Sequence, residues 1–161
     1  MNLSTTFFQA LCLGIGATVI MDIWLLILKI FKIPTLNFGL LGRWVGWIFK
    51  GKLIHQSIAQ SPQIKGEYFL GWVAHYSVGL IFSLSFLFIV GSDWLSHSQF
   101  YSALLFGVVT VLIPFFIMQP AMGSGFASSK TPHPFLNCLK SLMNHSVFGC
   151  GLYLTAKLFQ I

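Results

Sequence analysis

Four long apolar runs constrain this 161-residue chain more than any other feature. They extend over Phe7 to Phe31, Phe69 to Val90, Phe100 to Met118 and Leu136 to Phe159. A helix rising 1.5 Å per residue crosses a hydrocarbon layer in roughly 20 residues. Inside lipid a backbone must satisfy its own hydrogen bonds, which a helix does within one segment. The expected fold is therefore all-α: a polytopic membrane protein with four transmembrane helices, forming a single domain over 1–161. The runs differ in quality. Asp22 and Lys29 interrupt the first. The second carries His75 and no formal charge. The third is near the lower length limit and has Pro114 close to its end. The fourth is the least apolar, with Lys140, Asn144, His145 and Lys157.

Composition supports lipid as the solvent. Hydrophobic residues make up 56% of the chain and charged residues 7%, against about 25% charged in a typical soluble domain. Too few charges remain to build a water-facing surface. Seventeen Phe residues suit a lipid-facing one. The net charge of +6 does not indicate nucleic acid, because the charges sit in the connections and not on one soluble face. Cys12, Cys138 and Cys150 are odd in number and lack C-x-x-C spacing, which argues against a disulfide framework and against a zinc site. They are expected to be apolar packing residues. The N-terminus has no basic leader segment, its apolar run is too long, and no A-x-A-like site follows. It is expected to be the first span and not a cleaved signal.

Loop charges set an expected orientation. Lys29, Lys32, Arg43, Lys50, Lys52 and Lys65 lie in or beside the first connection, and Lys130 and Lys140 in or beside the third. The second connection, Gly91 to Gln99, has no Lys or Arg. Four spans place the first and third connections on one face, so the positive-inside rule makes them cytoplasmic and both termini non-cytoplasmic. Within the first connection, Leu36, Leu40, Trp44 and Ile48 recur at a helical interval, with Arg43, Lys50 and Lys52 off that stripe. The spacing predicts a short interfacial helix over 36–49, separated from the first span by Pro34. The third connection, Gln119 to Pro134, is rich in Gly and Pro and is expected to be irregular, with room to fold back into the membrane where protein covers it. Its Gly123 to Thr131 stretch is loosely like a phosphate-binding loop. It lacks the Gly before Lys130, and no strand precedes it.

Short matches suggest an internal duplication. His75-Tyr-Ser-Val-Gly79 in the second span parallels His145-Ser-Val-Phe-Gly149 in the fourth. Thr18 to Asp22 in the first parallels Thr110 to Pro114 in the third. The two hairpins would then be parallel repeats about an axis along the membrane normal.

Polar residues inside the spans mark the candidate site. Asp22 is the one acid within a run, and an ionised carboxylate at mid-membrane costs about 2.5–3.5 kcal/mol on insertion scales. It must face the interior, be protonated or have a partner. Counted from the helix ends, Asp22 and His145 lie roughly 13 Å inside and His75 about 9 Å inside. Asn144 and Gln119 fall near that level. Three readings compete: a structural polar cluster, a proton- or cation-coupled transport site with the histidines as relays, and a membrane-embedded enzyme or metal site with Asp22, His75 and His145 as ligands or acid–base groups. A second group, Arg43, His55, Glu67 and Lys130, is expected near the cytoplasmic surface, either as solvated loop charges or as a headgroup or anionic-substrate mouth above the buried cluster. The basic loops could touch anionic lipid headgroups. Four helices make a thin wall for a private pathway, so a homo-oligomer is the expected form of a transporter. No motif specifies a cofactor.

Several of these stretches occur together in one family. Gly14-Ile-Gly-Ala-Thr-Val-Ile-Met-Asp-Ile-Trp24, Gly42-Arg-Trp44, Gly71-Trp-Val-Ala-His-Tyr76, Met118-Gln-Pro-Ala-Met-Gly123 with Lys130-Thr-Pro132, and His145 to Tyr153 resemble a bacterial membrane family, domain-of-unknown-function family 2938. The resemblance spans nearly the whole chain, and the Met-Gln-Pro-Ala-Met-Gly stretch with Lys-Thr-Pro is its most distinctive part. It implies a bacterial inner-membrane location. It carries over no catalytic residue.

Overall fold

A computed structural model describes residues 3–159, and every regular element among them is helical. Five helices follow one another: α1 (Leu3–Ile30), α2 (Phe38–Ile48), α3 (Glu67–Val90), α4 (Phe100–Met122) and α5 (Pro134–Phe159). Among the described residues, three are long and apolar enough to cross a membrane: Thr5–Ile30 of α1, Glu67–Val90 and Phe100–Met122. The fourth expected span, α5, has the length at 26 residues but falls outside that group. Lys140, Asn144, His145 and Lys157 dilute its apolar character.

Local chemistry sets the helix ends. α1 begins before Phe7, because polar Ser4 to Thr6 continue the helix without adding to the apolar run. It closes where Lys32 turns left-handed at φ 57, with Ile33 N–H donating to Leu28 O at 2.9 Å; Pro34 follows. Asn37 caps α2, its side-chain oxygen accepting from Leu40 N–H at 3.2 Å. α4 was expected to stop near Met118 and instead runs to Met122. Pro114 lacks an N–H and would clash with an ordinary helical turn, so Pro114–Met118 widens into a π-helical turn in which Gln119 N–H reaches Pro114 O. Gly123 at φ 95 ends the helix. The irregular connection expected from Gln119 therefore starts at Gly123.

The chain divides into two compact units. The first comprises the segment up to Thr35, Tyr76–Thr110 and the segment from Met143 on. The second comprises Leu36–His75 and Val111–Leu142. Helices α3, α4 and α5 each contribute to both.

Leu13, Ala17, Phe86, Phe148 and Leu152 lie at the core of the first unit. Small residues bring its helices together. Gly14 of α1 meets Gly79 and Ser83 of α3, and Gly107 of α4 meets Gly149 of α5. Such rows permit close backbone approach, the usual means of joining helices where lipid removes the hydrophobic drive. Ser83 Oγ donates to Ala10 O at 2.7 Å across the first contact. Thr18, fully buried, bonds back to Gly14 O at 2.7 Å.

In the second unit α2 packs against the first turns of α3 through residues outside the Leu40–Trp44–Ile48 stripe. Its buried residues are Leu41, Gly42, Arg43 and Gly46, while Ile48 is exposed. A Cβ on Gly42 would collide with the Glu67 carbonyl, and one on Gly71 with the Phe38 carbonyl. Backbone contact this close leaves no space for large apolar side chains, so glycine marks the packed face. The Phe38 ring stacks on Trp72 at 4.2 Å. The connection after α2 is pinned to the end of α4, where His55 N–H donates to Ala121 O at 2.8 Å. A Cβ on Gly123 would strike the Gln56 carbonyl.

Candidate functional site

Two groups of polar side chains stand out, one in each unit. In the first unit, Asp22 is the one acid on the largely apolar α1. Tyr76, at the point where α3 enters this unit, donates its phenol O–H to Asp22 Oδ2 at 2.8 Å. A carboxylate held in this way has part of its lost hydration replaced. Close in sequence, Trp24 Nε1–H donates to Asn144 Oδ1 of α5 at 3.0 Å. His145 is held by Thr110 of α4, Nδ1 to Oγ1 at 2.8 Å. The Thr110 hydroxyl donates to Gly107 O at 2.6 Å, and a hydroxyl has one proton to give. His145 Nδ1 is then the donor, which in the neutral ring leaves Nε2 as the acceptor nitrogen.

Of the five residues expected to cluster, Asp22, Asn144 and His145 belong to the first unit, and His75 and Gln119 to the second. His75 is buried with its ring edge-on to Phe38 at 5.0 Å and to Trp72 at 6.0 Å. Gln119 is buried near the end of α4. Its Nε2 reaches Ser141 Oγ at 3.4 Å, and its Oε1 has no partner. Among the described residues no three His, Cys, Asp or Glu side chains are grouped as a metal ion would require.

The second group joins three of the four residues placed at the expected mouth. Arg43 is 7% exposed, and its guanidinium grips Glu67 in a two-pronged pair: Nε to Oε2 and Nη2 to Oε1, both 2.8 Å. Arg43 Nη1 donates to Ala59 O at 3.1 Å and Ser61 O at 3.2 Å. The guanidinium thus has most of its protons engaged within the chain. The Glu67 contact drives the Arg43 pKa above its ordinary value, with burial opposing it. Ser61 links the pair to His55, whose Nδ1 lies 2.9 Å from Ser61 Oγ. Ser61 Oγ in turn donates to Ser57 O at 3.3 Å. His55 is 4% exposed, and its Nε2 has no partner. Lys130, the fourth member, is exposed in the connection after Gly123.

Sequence reasoning missed Tyr76, Thr110, Trp24 and Ser61. A sequence signal existed for the first: Tyr76 follows His75 within the Gly71 to Tyr76 motif and supplies a donor on the same helix. Ser61 sits in a polar loop with nothing to single it out.

A family model matches residues 11–159, which includes both groups, α2 to α5 and all of α1 after its first eight residues. The chain belongs to the DUF2938 family. The family is described as one of unknown function, so the resemblance read from the sequence motifs holds while the chemistry of the DUF2938 chain must come from its own residues. No curated protein and no solved structure matches it. Two of its motifs now have physical roles. Gly42-Arg43-Trp44 supplies a close helix contact and a buried cation. Met118 to Gly123 supplies the π-turned end of α4 and the left-handed glycine that accepts the His55 segment.

Proposed function

We propose that this chain is a four-span bacterial inner-membrane protein that handles a small solute or protons through a titratable site at Asp22. The α5 helix is the fourth span in this reading, its polar residues turned to neighbouring helices. The loops holding Lys50, Lys52 and Lys130 face the cytoplasm, and both termini face away. The carrying observation is the phenol–carboxylate contact of Tyr76 and Asp22 at 2.8 Å, placed within a helix apolar enough to span. An acid inside a spanning segment is a usual mark of an ion or proton path. A neutral His145, with Nε2 as acceptor, is chemically suited to relay a proton. A homo-oligomer would supply the enclosing wall that four helices lack.

The test uses purified full-length protein in liposomes loaded with a pH-sensitive dye. Wild type should dissipate an imposed pH gradient, Asp22→Asn should reduce the rate to that of empty liposomes, and Tyr76→Phe should move its pH dependence. Wild-type vesicles no leakier than empty ones, or Asp22→Asn as active as wild type, would reject the reading.

A structural role is the second reading. Asp22, Asn144 and His145 each have an intramolecular partner, as packing groups would. It predicts that Asp22→Asn lowers folded yield and leaves flux at the wild-type level.

A further inference from the structure

The connection after α2 makes a surface that the Asp22 reading leaves unused. Every residue from Ile48 to Ile54 is exposed. Phe49 is 80% exposed and Ile54 70%. Between them, Lys50 and Lys52 flank Gly51, and both ammonium groups stand over the same Trp47 ring, at 5.1 and 5.7 Å from its centroid. The turn is built and held. Gly51 N–H donates to Ile48 O and Lys52 N–H to Trp47 O, both at 2.9 Å. The two indoles are tied down as well: Trp44 Nε1–H donates to Leu53 O at 2.9 Å and Trp47 Nε1–H to Pro62 O at 3.1 Å. The surroundings are strongly cationic. The second unit has six basic residues, Arg43, Lys50, Lys52, Lys65, Lys130 and Lys140, and one acid, Glu67. Arg43 occupies that acid, so the lysines meet no competing carboxylate in their unit.

We propose that the Trp47–Ile54 turn is a docking surface for anionic phospholipid, with Lys50 and Lys52 holding the phosphate and Phe49, Leu53 and Ile54 lying against the acyl region. Two features select a lipid over a free anion. The lysines are fixed to one aromatic platform, a position indole favours at the headgroup level. The apolar side chains beside them need a hydrocarbon partner, which inorganic phosphate cannot provide. Each lysine near an anionic surface contributes about a fivefold gain in association.

The test places the full-length protein in phosphatidylcholine bilayers and measures association of spin-labelled phosphatidylglycerol against spin-labelled phosphatidylcholine. Wild type should prefer phosphatidylglycerol. The exposed pair Lys50→Gln and Lys52→Gln should lower that preference by about fivefold per lysine, while Lys65→Gln with Lys130→Gln, which removes the same charge elsewhere in the unit, should change it far less. Phe49→Ser with Ile54→Ser should also weaken the phosphatidylglycerol signal. Equal losses in the two lysine pairs would mean a diffuse field and no site. Displacement of the lipid by inorganic phosphate would mean a soluble anion. No preference in wild type would mean that something other than lipid covers the turn. Each of these outcomes overturns the proposal. The readout is lipid selectivity and not flux, so it stands or falls separately from the role of Asp22.

Discussion

Arg43 shows how far one residue's surroundings decide its role. On spacing it lies off the apolar stripe of its helix and belongs with solvated charges. In the folded chain it is 7% exposed, gripped by Glu67 and roofed by loop carbonyls. A surface ion pair contributes at most about 1 kcal/mol, but removing one partner of a largely buried pair strands the other and costs about 3 kcal/mol or more. Arg43→Ala should therefore lower the melting temperature in detergent by many degrees, and Arg43→Lys should recover little, because an ammonium cannot reproduce the two-pronged contact. The Arg43 pKa is raised in the fold. Its stabilisation is then fully present below the unfolded guanidinium value and is lost only as pH climbs past the folded one. Melting between neutral and mildly alkaline pH should show no loss from this group. At Asp22 the sequence already demanded a partner for a carboxylate in an apolar run. It could not choose among several polar candidates, and the phenol of Tyr76 was not among those considered.

At the scale of elements, helix contacts follow small residues more than large ones. Gly42 and Gly71 bring α2 and α3 to backbone contact, while the exposed Ile48 belonged to the expected apolar stripe. Gly42→Ala should be severely destabilising, since the methyl would meet the Glu67 carbonyl, a backbone atom that cannot step aside. Gly51 provides the contrast. A Cβ there meets nothing within 4 Å, and only its left-handed φ of 78 opposes substitution, at about 1–2 kcal/mol. Thermal unfolding of the two variants side by side should separate them clearly. In the first unit, the α1–α3 and α4–α5 hairpins use the same device: Gly14 against Gly79, and Gly107 against Gly149. Thr18 and Thr110 each bond back to a carbonyl one turn earlier, Gly14 and Gly107. The registers differ by one residue, since Gly14 lies four positions before Thr18 and Gly107 three before Thr110. The second hairpin differs in the π-helical turn at Pro114, where the first has Asp22.

For the whole molecule, the proposed direction rests on the loop charges. Lys32, Arg43, Lys50, Lys52 and Lys65 lie between α1 and α3 and Lys130 between α4 and α5, whereas the connection after α3 has no Lys or Arg. A single cysteine introduced at exposed Lys130 in a background lacking Cys12, Cys138 and Cys150 should react with a membrane-impermeant maleimide only from the cytoplasmic side. One placed at exposed Lys65 should behave the same way, and one at Asp93 in the opposite sense. Labelling of Lys130 and Asp93 positions from the same side would show that α4 does not cross the membrane as an odd span between them.

The linear order of residues was enough to establish an all-helical chain with long apolar segments, its membership in DUF2938, and the places where a polar group needed help. Those properties depend on run length and local period, which no later folding step changes. Tertiary structure decided which partner each polar group found: Tyr76 for Asp22, Thr110 for His145, Glu67 for Arg43. It also decided which face of α2 was buried and where α4 ended. Such outcomes depend on distances between residues far apart in the chain, and on whether two backbones can approach closely enough that only glycine fits between them.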